Sequence, residues 1–96
     1  KLRAMTPTRS SRVRCGYFDG PHGQLHHRAG GEGGAPLLLL HQSPLSSRQF
    51  EPAYAPLIAG GRHVVAIDLP GFGQSDPLPA SRRLDDYAAA AVAALD

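Results

Sequence analysis

Apolar and polar residues alternate over Val13-Arg14-Cys15-Gly16-Tyr17-Phe18-Asp19, with Val13, Cys15 and Tyr17 on one side. A period of two is the sign of a half-buried strand. Gly20-Pro21-His22-Gly23 reads as a turn. Gln24 to Ala29 then resumes as a second strand, with Leu25, His27 and Ala29 on one face. Two such runs about a short Gly/Pro turn predict a β-hairpin over 13–19 and 24–29. Gly30-Gly31-Glu32-Gly33-Gly34 is a flexible connection.

The alternation then stops. Leu37-Leu38-Leu39-Leu40 is wholly apolar and is bounded by Pro36 and a polar turn. Such a run fits a strand covered on both faces, as in a parallel sheet. Burying its leucines is worth about 6–12 kcal/mol in total, an upper estimate. Next, Ser46-Ser47-Arg48-Gln49 offers a capping box, in which the Gln49 side chain reaches back to Ser46. Pro52 and Pro56 break the segment that follows. The expectation is a first turn near 47–51 and a helix restarted with Pro52 at its first position, stopped by Gly60-Gly61.

Val64-Val65-Ala66-Ile67 is the next buried strand. Strand, helix and strand at this spacing form a βαβ unit, so strands 36–41 and 63–68 are expected parallel with a right-handed crossover. Leu84 to Leu95 reads as a helix. Asp85 and Asp86 sit in its first turn, where negative charge suits the dipole. Leu84, Ala88, Ala91, Val92 and Leu95 fall on one face at helical spacing. The fold class is α/β: a hairpin, then a parallel βαβ unit and a following helix. There is no internal repeat.

Composition narrows the class. At 96 residues, 42% hydrophobic and 19% charged, the chain suits one small globular domain. A net charge of +2 is too small to argue for nucleic acid or a membrane as partner. The single Cys15 cannot form an internal disulfide and is expected as a buried, reduced thiol. No apolar stretch approaches the roughly 20 residues of a membrane helix. The expectation is a soluble chain of the cytoplasm. Residues 1–12 read as a flexible basic tail, since Lys1, Arg3, Arg9 and Arg12 precede the first acid, Asp19.

Two polar turns follow the two buried strands: His41-Gln42-Ser43-Pro44, and Asp68-Leu69-Pro70-Gly71-Phe72-Gly73-Gln74-Ser75-Asp76. A parallel α/β sheet holds its ligand outside the carboxyl ends of its strands, where both turns begin. Acyl transfer needs donors aimed where charge develops on the attacked carbonyl oxygen. Backbone amides in a tight turn supply them without adding a titratable group.

This pair of strand-end motifs, in this order, resembles the amino-terminal part of an α/β-hydrolase. The first turn matches the His-Gly-x-Pro pattern of many epoxide hydrolases, dehalogenases and related esterases. The second is similar to the D-x-P-G-x-G-x-S-D loop after the fourth strand. The resemblance covers residues 13–96. It implies that the Ser43 N–H is an oxyanion donor, and that His41, Gln42 and Pro44 shape the turn and the substrate pocket. It further implies a cofactor-independent hydrolase of small organic substrates acting through a covalent intermediate. The nucleophile elbow, acid and base are expected beyond residue 96. Gln42 departs from the pattern's glycine, so either the turn takes an ordinary conformation or the site is shaped differently.

The other residues of these motifs read as structure. Asp68 is tempting as a catalytic acid, but the family takes that acid from a later strand, so Asp68 is expected to shape its loop. Ser75 has no base at a revealing spacing. Gly71-x-Gly73 fails as a dinucleotide fingerprint, because Asp76 holds the third glycine position and Pro70, Pro77 and Pro79 deny an immediate helix. No G-K-[ST] and no H-E-x-x-H occurs. His22, His26 and His27 are read as solvated hairpin positions, since adjacent strand residues point to opposite faces. No cofactor is therefore expected. The competing reading is a non-catalytic member of the same fold, used for binding.

Overall fold

The computed structural model describes Leu2, Met5 and residues 12–32, 34–79 and 83–95. Among these, β1 (Arg14–Gly20) and β2 (Gly23–Gly30) form the expected hairpin about Pro21 and His22. β3 (Leu37–Leu40) leads through a 3-10 turn (Ser47–Phe50) into α1 (Glu51–Ala59). β4 (Val64–Ile67) and α2 (Leu84–Leu95) complete the order. The break before α1 follows from the prolines: Pro52 sits at the start of the helix, where its missing N–H is harmless. Beyond the end of α1, Gly61 takes φ +86, a value that favours glycine.

The strands make one sheet in the order β1-β2-β4-β3. β3 and β4 are parallel, with Leu37 opposite Val64 and Leu40 opposite Ile67. The hairpin joins this pair through an antiparallel β2–β4 ladder, His27 opposite Ile67. The helices take opposite faces. Tyr54 of α1 packs on Val64 and Ala66, and Ala94 of α2 packs on Ala29, Val65 and Ile67. β4 is thus the central strand, with all four residues at 0% exposure.

Several expectations change. The leucines of β3 are only half-buried and Leu40 is 48% exposed, because β3 is the edge strand of this sheet. Cys15 is exposed rather than buried. It lies in one cross-strand row with Arg28 and Ala66, but α1 covers the row at Ala66 and leaves the β1 edge open. The buried side of α2 is formed by Ala90 and Ala94, while Leu84, Val92 and Leu95 are exposed. Small side chains let the helix backbone approach the sheet; the bulky ones are left outside. The flexible-tail expectation falls largely outside the described residues. Of that segment Leu2 is buried, with Met5 against the same cluster as Val65 and Ile67.

Candidate functional site

Because β3 and β4 are parallel, the loops leaving Leu40 and Ile67 emerge at the same sheet edge. The first is a tight turn. The Leu45 N–H donates to the Gln42 carbonyl at 2.7 Å across a cis Ser43–Pro44 bond, which is a type VI turn. The Gln42 N–H donates to Gln49 Oε1 at 2.7 Å. Pro44 has no N–H. Of the amides in 42–45, only that of Ser43 has no acceptor among the described residues, and Ser43 is exposed. No described non-glycine residue has positive φ, so Gln42 occupies the glycine position of the pattern in an ordinary conformation.

His41 is buried and turned toward the second loop. Its Nε2 accepts the Leu69 N–H at 3.0 Å, and its Nδ1 lies 3.1 Å from the Gln42 carbonyl. Phe72 meets the ring edge-on at a centroid distance of 5.4 Å. The imidazole therefore joins the two strand-end loops.

The second loop is organised by Asp68, which is 1% exposed. Its Oδ1 accepts the Ser47 N–H at 2.7 Å. Its Oδ2 accepts the Gln74 N–H at 2.9 Å and lies 2.9 Å from His26 Nδ1. Burial pushes the Asp68 carboxyl up, but the bonds from Gln74, Ser47 and His26 outweigh it and hold the group below the usual carboxylate range. Gly73 is required here: at φ +53, a Cβ would stand 2.2 Å from Asp68 Oδ2. Ser75 Oγ accepts the His26 N–H at 2.8 Å and donates to the Asp68 carbonyl at 2.6 Å. Ser75 is thereby engaged by backbone and not by the histidine ring. His26 and Asp68 have the look of a base and its orienter, yet both are buried and the carboxylate is filled by amide donors. The structural role expected for Asp68 fits this geometry.

Ser47 ties the two loops to the sheet. It is fully buried, with its amide on Asp68, its hydroxyl 3.0 Å from Arg28 Nε and its carbonyl accepting the Tyr54 hydroxyl. The turn that follows β3 is thus fixed from β2, β4 and α1 together.

The solvated reading holds for His22 but not for its neighbours: His26 is 4% and His27 7% exposed. The hairpin is covered by Asp68 and its loop on one face and by the apolar cluster on the other. The capping-box expectation is also corrected. Ser46 Oγ accepts the Arg48 N–H, and the Gln49 side chain goes to Gln42 instead of Ser46. A 3-10 turn places the Gln49 N–H on the Ser46 carbonyl, which frees its side chain to reach the turn above.

Beside the Ser43 turn lies an open cavity of about 390 Å³, lined by Pro44, Leu45, Ser46, Arg48, Gln49 and Gly73. Of the expected site residues, Pro44 lines the cavity and Ser43, its exposed neighbour in the chain, does not. Gln42 is exposed, and His41 faces the second loop. Arg48 and Gln49 were not legible as site residues. Their only sequence signal was membership of the capping pattern.

The comparisons agree with this architecture. The sequence profile of the alpha/beta hydrolase fold matches residues 35–95. A haloalkane dehalogenase of Mycobacterium marinum is 41% identical over 70 residues, covering 72% of this chain and 23% of the dehalogenase. A 2-hydroxy-6-oxononadienedioate/2-hydroxy-6-oxononatrienedioate hydrolase of Pseudomonas putida is 36% identical over 91 residues, 92% of this chain and 31% of that protein. The solved epoxide hydrolase of an endophytic Streptomyces superposes with a TM-score of 0.75 at 30% identity, covering 90% of this chain and 27% of the other. The chain therefore spans between 23% and 31% of the length of these relatives. The profile match over most of the chain, with relatives more than 30% identical, settles the family: the chain belongs to the alpha/beta hydrolase fold family.

Proposed function

We propose that the complete gene product is a cofactor-independent hydrolase of small organic substrates, esters, epoxides or similar. A nucleophile attacks the substrate, the Ser43 N–H helps hold the developing oxyanion, and water releases the covalent intermediate. One observation carries the reading: the exposed Ser43 amide has no acceptor among the described residues, in the turn that leaves the carboxyl end of β3. The dehalogenase and epoxide hydrolase among the relatives support it. The reading requires a nucleophile elbow outside these residues, expected within roughly 10–25 residues after Asp96, the reach of a loop and one strand.

The test is made on the complete gene product. Ser43→Pro removes the donor and should lower kcat on the order of 10²–10³. Ser43→Ala keeps the amide and should change kcat little. A folded Ser43→Pro protein with undiminished kcat removes Ser43 from the oxyanion hole. A complete gene with no Ser, Asp or Cys elbow makes the fold a binding protein instead.

A further inference from the structure

The turn after β3 holds the amides of Gln42 and Ser43, and Gln49 engages the first of them. Its Oε1 accepts the Gln42 N–H at 2.7 Å, seven residues away in sequence. A backbone N–H is only a donor, so the carboxamide oxygen is the atom that faces it. Gln49 is itself held: its own N–H donates to the Ser46 carbonyl at 2.9 Å, and Ser47 beside it is locked by Asp68, Arg28 and Tyr54. The chain of contacts thus runs from the buried centre of the sheet, through the 3-10 turn, to the Gln42 N–H, one peptide before that of Ser43.

We propose that Gln49 is a positioning residue for the Ser43 amide. This rests on the reading of Ser43 as an oxyanion donor. By taking the Gln42 N–H, Gln49 anchors the His41–Gln42 peptide, while the Leu45 N–H holds the Gln42 carbonyl of the next one. Gln42 is thus pinned on both sides, which orients the Ser43 amide, the one in 42–45 without an acceptor among the described residues. Preorganisation of this kind matters because a donor stabilises a transition state only if it is already aimed at the developing charge. A donor misplaced by about an ångström costs as much as 10²-fold in rate.

The experiment uses the complete gene product as Gln49→Leu, which lacks the acceptor, and Gln49→Glu, which keeps it. The probe is p-nitrophenyl butyrate with its matched thionoester, whose C=S is a poor hydrogen-bond acceptor. The ester-to-thionoester rate ratio then reports the oxyanion donors alone. The unaltered protein should prefer the ester well beyond the preference in solution. Gln49→Leu should lower kcat for the ester about ten-fold, leave KM within two-fold, and shrink that preference. An unaltered protein with only the solution preference overturns the oxyanion reading itself. A strong preference that Gln49→Leu leaves intact overturns the positioning role and spares the reading. Deuterium exchange needs no turnover: the Gln42 amide should exchange at least ten-fold faster in Gln49→Leu than in Gln49→Glu. Equal exchange in the two variants also overturns the proposal.

Discussion

His26 Nδ1 and Asp68 Oδ2 lie 2.9 Å apart, 42 residues distant in the chain and both buried. The pair joins the hairpin to the loop that leaves the central strand. It is reinforced by the Asp68 N–H, which donates to the His26 carbonyl at 2.8 Å.

Asp68 is accordingly a stability residue. Asp68→Ala strands the Ser47 and Gln74 amides and the His26 ring. The expected loss is about 3–5 kcal/mol, the range for breaking a buried hydrogen-bonded charge. Urea unfolding of the complete gene product measures it. A loss below about 1 kcal/mol, the usual size of one ordinary hydrogen bond, contradicts the organising role.

The same carboxylate gives an acid limit. Its folded value lies below the ordinary one of about 3.9, so its contribution is fully present above that pH. Stability is lost as the pH falls below that point and through the folded value. Asp68→Asn should flatten this part of the stability curve. An unchanged acid limb shows that other carboxylates set it.

His27 acts higher on the scale. Burial, and then the neighbouring His26, push it below the usual histidine range. Its Nδ1 has no hydrogen-bond partner among the described residues. The unfolded chain takes up the proton first, so stability should decline as pH falls below about 6.5 and level off under the folded value. His27→Phe should remove that phase while leaving the Asp68 phase in place. Equilibrium unfolding between pH 4 and 8 separates the two, and a persistent upper phase in His27→Phe assigns it to another group.

Gly73→Ala tests the loop. The new Cβ meets Asp68 Oδ2 and an unfavourable φ together. Left-handed strain alone is of order 1–3 kcal/mol, and displacing Asp68 adds to it. A melting temperature lowered by less than 2 °C shows that the loop relaxes freely.

Residues 1–96 produced alone should hydrolyse neither activated esters nor epoxides in a saturable way. An oxyanion donor stabilises charge and creates none, and the reading places the nucleophile elsewhere. The chain should also precipitate or melt without cooperativity, because β3 presents an open leucine edge. Saturable turnover abolished by mutating one of its own residues overturns this.

Much of the fold was legible because its signals are local. The hairpin follows from a period of two around Gly-Pro, and the parallel strands from two uninterrupted apolar runs. The split before α1 follows from Pro52. What stayed hidden is set by neighbours the sequence does not place side by side. Cys15 is exposed because β1 is an edge, and strand order has no local signature. The α2 face was misassigned because its leucines outweigh its alanines in any hydrophobic count, yet close packing selected Ala90 and Ala94. The Ser43 turn was recognisable from its residues. The Gln49 contact was not, since a capping pattern and a turn-holding side chain look alike until the 3-10 geometry is known.

One consequence concerns the histidine of the turn. The Leu69 N–H takes the lone pair of His41 Nε2, which leaves the ring proton on Nδ1, facing the Gln42 carbonyl. The ring has then neither a base to offer nor a proton to give. It serves as a strut of fixed width that sets the gap between the two strand-end loops. On the proposed function, a proton carrier at this edge has to come from another residue, however suggestive a histidine beside the turn looks in the sequence.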